Sequence, residues 1–107
     1  TYGTGDNYSP GKTMAAFALA SGLELATHDS SATSTEPIGE PPLPEKTLPL
    51  AGNVSVSGTP TTLVVRQYGP PTGQDGHFVA LDVAAATADI ARCVGMAAQG
   101  AVPQVGQ

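Results

Sequence analysis

Tryptophan is absent from this 107-residue sequence, cysteine occurs once, and only four residues are lysine or arginine. Each shortage removes a class of protein. The lone Cys93 can make no internal disulfide and no cysteine-based zinc cluster. Its place inside a predicted helix marks it as a packed, unreactive thiol. Lys12, Lys46, Arg66 and Arg92 are scattered along a chain of formal net charge −5. Without a basic cluster there is nothing to hold a run of phosphates, which argues against nucleic acid as a partner. No apolar run approaches the roughly 18 residues that a bilayer span requires, so no transmembrane segment is expected.

Two Phe and three Tyr are the whole aromatic content. The core must therefore come from Ala, Val and Leu, in many small contacts rather than a few large anchors. A chain of this length is one domain at most and can bury a usable core. Its ten Pro and thirteen Gly fall mainly between regular segments and signal long loops. Charged residues make up only 12%, so Ser, Thr, Gln and Asn carry the solubility. That composition points to an exported, extracytoplasmic protein.

Thr1-Tyr2 reads as the end of a strand, and residues 3–9 as a turn rich in residues that tolerate unusual backbone angles. Ser9-Pro10 is a helix start, a cap followed by Pro at the first helical position. Met14, Phe17 and Ala18 share a face, Ser21 lies on the turn beyond, and Gly22 is the stop. The spacing predicts a helix over about 10–21. Leu23 to Ala26 adds a short extended piece. From 27 to 49 neither period holds, and Ser, Thr, Glu and Pro predict an excursion loop packed over the surface.

Asn53 to Ser57 alternates as an edge strand or hairpin arm, broken by Gly58-Thr59-Pro60. Thr61 to Tyr68 is the strongest strand, and its adjacent apolar residues fit coverage on both faces, as in a parallel sheet. Asp82 is a candidate cap for a helix over about 83–98, with Val83, Thr87, Ile90, Val94 and Ala97 as its apolar stripe. Gly100 and Pro103 end that helix and leave 101–107 as a polar tail. The order is β-α-β-α, the layout of a parallel α/β sheet. Two strands make no sheet, so further strands are expected upstream of Thr1.

In open α/β sheets, functional groups collect at the carboxyl ends of the strands. Asp6 lies just beyond the first strand and His77 beyond the second, and sequential strands are often neighbours. The Asp6 carboxylate would then accept from one imidazole nitrogen and fix the tautomer, leaving the other nitrogen to take a proton from a nucleophile. Each residue also has a plainer reading, Asp6 as a cap for the turn amides and His77 as an ordinary loop histidine. Asp75 is an alternative acid, but two residues from His77 it is better placed to cap the loop. His28-Asp29 and His77 have no metal-ligand spacing. Gly3-Thr4-Gly5 is too short for a phosphate cradle. No cofactor or metal is expected.

Gly3-Thr4-Gly5-Asp6-Asn7-Tyr8-Ser9-Pro10 resembles the Gly-x-x-Asp-x-x-x-Pro turn after the penultimate strand of α/β-hydrolases. Asp75-Gly76-His77-Phe78 resembles the Gly-His pair after their last strand, ahead of the terminal helix. The wording Asp-Gly-His-Phe-Val is similar to bacterial lipase-like and esterase-like members. The resemblance implies that residues 1–107 are the C-terminal segment of one such domain, with Asp6 as orienting acid and His77 as general base of a Ser-Asp-His triad. It implies an ester or lipid substrate and, as partner, the N-terminal part of the same domain. That part would supply a serine on a Gly-x-Ser-x-Gly elbow. None of Ser9, Ser21, Ser30, Ser31, Ser34, Ser55 or Ser57 has that setting, so the isolated chain is expected to be inactive. The rival is a small acidic binding or assembly module that uses its Pro-rich loop on a partner. In that case Asp6 and His77 should lie apart.

Overall fold

A computed structural model describes residues 1–9, 11–33, 38–39 and 41–106. The first helical position, Pro10, and residues 34–37 of the expected excursion loop lie outside the described residues. Strand β1 (Tyr2–Gly3) leads through a turn into helix α1 (Gly11–Ala20), then β2 (Glu24–Leu25). After the long connection come β3 (Leu50–Ala51), β4 (Val54–Val56), β5 (Thr59–Thr61), β6 (Val64–Val65) and β7 (Gln67–Tyr68). A 3-10 turn at Gly76–Phe78, α2 (Val79–Asp82), α3 (Ala84–Ala98) and β8 (Gln104–Val105) complete the order. Helices and short strands are thus mixed, and β1–β7 and β2–β6 are parallel pairs.

Both parallel pairs share one extended stretch. The amides of Tyr2 and Thr4 donate to Arg66 and Tyr68 on one edge, while those of Glu24, Ala26 and Asp29 donate to Leu63, Val65 and Gln67 on the other. Carbonyls pointing alternately left and right make residues 63–68 a central strand, with β1 and β2 as its neighbours. Side chains alternate between the two faces for the same reason. Val65 joins Tyr2, Ala18, Leu25 and Ile38 in one buried cluster under α1. Tyr68 joins Val79, Val83 and Ala86 in a second cluster under α2 and α3.

Helix α1 stops where expected. Gly22 takes φ +65°, and the amides of Gly22 and Leu23 reach back to Leu19 and Ala18, a Schellman closure that glycine makes without a Cβ penalty. Phe17 departs from the predicted face and is 60% exposed, while Met14, Ala15 and Ala18 pack inward.

Other expectations change. The run 61–68 is divided, because Thr61 belongs to a hairpin with β4. Its two-residue turn, Ser57-Gly58, has φ +50° and +83°, the left-handed pair such turns require. Thr59 and Pro60 are therefore strand rather than breaker. At Leu63 the Asn53 amide stands in for a strand partner, accepting from the Leu63 N–H and donating to its C=O at 2.9 Å each.

The connection over 27–49 is not wholly outside the sheet. Lys46 forms a parallel bridge with Ala26, His28 contacts Glu45 at 3.0 Å, and Lys46 contacts Glu24 at 3.7 Å. Part of the tail is likewise paired. Gln104-Val105 pairs antiparallel with β3, and Val105 is buried.

The second helix pattern resolves into two elements. Asp82 ends α2 rather than capping α3, whose N-cap is Val83 with no side-chain hydrogen bond. The face of α3 is also rotated from the apolar stripe. Val83, Ala86 and Asp89 are buried, whereas Val94 is 65% exposed. The cause is ionic. Asp89 accepts from Arg66 Nη1 at 2.7 Å, Tyr68 Oη at 2.5 Å, Arg92 Nη1 at 2.9 Å and the Gly106 amide at 3.3 Å. Burial pushes its carboxyl up, but the bonds from Tyr68 and Arg66 outweigh that, and its pKa lies below the ordinary value. The same burial and the neighbouring carboxylate push the Tyr68 phenol up. Ile90 and Val94 line an apolar pocket of about 330 Å³ between the central strand, α3 and β8.

Candidate active site

Because β1 and β7 are parallel neighbours, their carboxyl ends lie on the same side, and the two turns that leave them meet. The contact is between backbones. A Cβ on Gly3 would lie 1.8 Å from the Gly76 oxygen, and one on Gly76 would lie 2.3 Å from the Thr4 oxygen and 2.9 Å from the Asp6 nitrogen. Only glycine at both positions allows so close an approach.

Above that contact His77 Nδ1 lies 3.3 Å from Asp6 Oδ2. The carboxylate can only accept, so Nδ1 carries the proton and Nε2 is the basic nitrogen. The separation is longer than the 2.7–2.9 Å of a tight charge-assisted bond. The Asp6 side chain is 8% exposed and the His77 side chain 43%. The carboxylate is thus shielded while the imidazole remains open.

The two readings of Asp6 divide between its oxygens. Oδ1 accepts from the amides of Tyr8 and Ser9 at 2.8 Å each, which fixes the turn into α1 as an Asp in that place commonly does. Oδ2 faces His77. The bonds on Oδ1 hold the carboxylate plane, and so hold Oδ2 in place.

Asp75 is the N-cap of the 3-10 turn and accepts from the His77 amide at 2.8 Å. It also reaches across to the acid turn, where Asn7 donates from Nδ2 at 2.6 Å and from its amide at 3.3 Å. These bonds, that from the His77 amide first and that from the Asn7 side chain second, hold the Asp75 carboxyl below its usual value. Capping was legible from the two-residue spacing; the tie to Asn7 was not. Two rings complete the surroundings. Tyr8 lies 4.9 Å from the imidazole centroid, and Phe78 lies edge-on at 5.1 Å.

Thr4 and Gly5, which lead into Asp6, and Gln74, which leads into Asp75, border an open groove of about 670 Å³ with Ser31 and the Gly69–Gly73 loop. Among the described residues no serine hydroxyl or cysteine thiol hydrogen-bonds the His77 ring. Cys93 instead donates to the Gln104 carbonyl at 3.4 Å from within α3, and burial raises its pKa. His28, paired with Glu45, is not joined to His77, and no three potential metal-ligating side chains are grouped among the described residues.

No protein-family model matches this chain, and neither the curated proteins nor the solved structures give a match. The chemistry therefore has to be read from the site. An imidazole with one nitrogen on a shielded carboxylate and the other open is arranged to accept a proton, hold it as imidazolium, and return it.

Proposed function

We propose that this chain carries the acid and base of a Ser-Asp-His triad in an α/β-hydrolase of the lipase or esterase kind, its nucleophilic serine lying outside residues 1–107. His77 removes the serine proton as the hydroxyl attacks the ester carbonyl, then delivers it to the leaving alkoxide. Asp6 holds the ring with Nδ1–H on the carboxylate and Nε2 free for the serine. The observation that carries this reading is the 3.3 Å contact between Asp6 and His77, which lie 71 positions apart in sequence. The rival assembly module expected these two residues apart.

The test joins ester hydrolysis to labelling with a serine-reactive fluorophosphonate, on residues 1–107 alone and on the protein extended upstream. The extended protein should hydrolyse a chromogenic ester and take the label on a serine outside residues 1–107. Changing His77 to Ala should lower kcat/KM by about 10²–10⁴-fold. The 107-residue chain alone should do neither. Robust hydrolysis by that chain, abolished on changing one of its own serines, would defeat the proposal.

A further inference from the structure

We infer that Asp75 is a positioning residue, a carboxylate latch that sets the distance between the acid turn and the base. This rests on the triad reading of Asp6 and His77 and adds a second acidic residue to it, in a role distinct from either.

Asp75 ties the two turns together through hydrogen bonds that do not involve the His77 ring. Toward the base it accepts the main-chain N–H of His77 at 2.8 Å. Toward the acid it accepts Asn7 Nδ2 at 2.6 Å and shares the Asn7 amide between its oxygens at 3.3 and 3.4 Å. Asn7 directly follows Asp6, so a displacement of Asn7 moves Asp6, while the His77 amide anchors the ring from the other side. The Asp75–Asn7 bond spans 68 positions, nearly the same separation as the pair it governs.

Asp75 does not itself serve as the acid, because its oxygens are engaged with amides while His77 Nδ1 faces Asp6. Nor is it needed to bring the turns together, since the Gly3–Gly76 contact does that beneath it. What remains to be set is the last fraction of an ångström, and a proton-transfer pair is sensitive on that scale.

The experiment compares Asp75→Ala, Asp75→Asn, Asn7→Ala and the double variant Asn7→Ala/Asp75→Ala. Ester kinetics are measured on the upstream-extended enzyme, and the Nδ1–H and titration of His77 are followed by NMR. Asp75→Ala should lower kcat by about one to two orders of magnitude with little change in KM. The His77 Nδ1–H signal should shift and exchange faster. Asp75→Asn keeps one acceptor oxygen and should recover part of both. Asn7→Ala should resemble Asp75→Ala, and the double variant should be no worse than either, because both changes open one latch.

An unchanged His77 ring signal in Asp75→Ala, or effects of Asn7 and Asp75 that simply add, overturns the latch. The NMR arm decides this even if the parent hydrolyses no ester. That result defeats the triad reading alone.

Discussion

Gly76→Ala probes the contact that brings Asp6 and His77 together. The added methyl would lie 2.3 Å from the Thr4 oxygen, and ordinary contact begins at 3.4 Å, so the turns must part by about 1.1 Å. The Asp6 amide, 2.9 Å from the same position, has to move with them. The Asp6–His77 separation is already 3.3 Å, so even part of that displacement carries it out of hydrogen-bond range. Overpacking of this kind costs about 1–3 kcal/mol, and in a domain of this size each kcal/mol lowers the melting temperature by about 4–8 °C. A misplacement near 1 Å costs about 10²-fold in rate. Urea unfolding and thermal melting measure the first two, and, on the proposed triad reading, ester turnover of the protein extended upstream measures the third. Gly73→Ala is the control, because Gly73 has φ +81° but nothing within 4 Å of its would-be Cβ. It should cost about 1–2 kcal/mol of backbone strain yet leave the His77 Nδ1–H signal in place. If Gly76→Ala keeps both its melting temperature and its turnover, the backbone contact does not position the pair.

Other substitutions probe the scaffold. Asp89→Ala takes from the Arg66 guanidinium its shortest carboxylate partner, at 2.7 Å, and leaves it Asp29 at 3.5 Å and the Thr27 carbonyl at 3.0 Å; it should cost about 1–3 kcal/mol by denaturant unfolding. Replacing both with apolar residues, Arg66→Met/Asp89→Leu, should recover part of that loss. The Asp89 and Asp75 carboxyls lie below their ordinary values when folded, so the stability they add is present above about pH 4 and lost as pH falls through the folded pKa values. Unfolding free energy measured from pH 6 to pH 2 should fall, and Asp89→Asn should flatten the decline. Gly95 sits inside α3 with nothing within 4 Å of its would-be Cβ, so Gly95→Ala should raise stability by about 0.5–1 kcal/mol. A loss of stability there would mean that the helix face packs against something in solution.

The features legible in the sequence are those governed by near neighbours along the chain. A glycine after an apolar-periodic run closes α1 because φ +65° suits it wherever the helix lies. Asp6 and His77 could be placed just past strand ends because turn chemistry marks those ends. Their proximity needed one further step, the parallel pairing of β1 with β7. The site's finer parts depended on partners far along the chain. Asp75 was readable as a local cap, but its bond to Asn7 is set by how two turns meet. Gly3 and Gly76 have the setting of ordinary turn glycines in the sequence, and only the fold puts their backbones in contact.

Tertiary structure alone decided which face of α3 turns inward. An aspartate reads as a solvent-facing residue, and the apolar stripe accordingly placed Ile90 and Val94 inside. Arg66, coming from the central strand, reverses that assignment by supplying the countercharge that makes burial of Asp89 favourable. Gln104-Val105 in the tail and the stretch around Lys46 look like loop by composition, but open strand edges gave them partners. Local backbone chemistry therefore set the elements and the positions of Asp6 and His77. The long-range partners of charges and main-chain groups determined the rest, because a polar group's place depends on what it can pair with, and sequence spacing does not specify that.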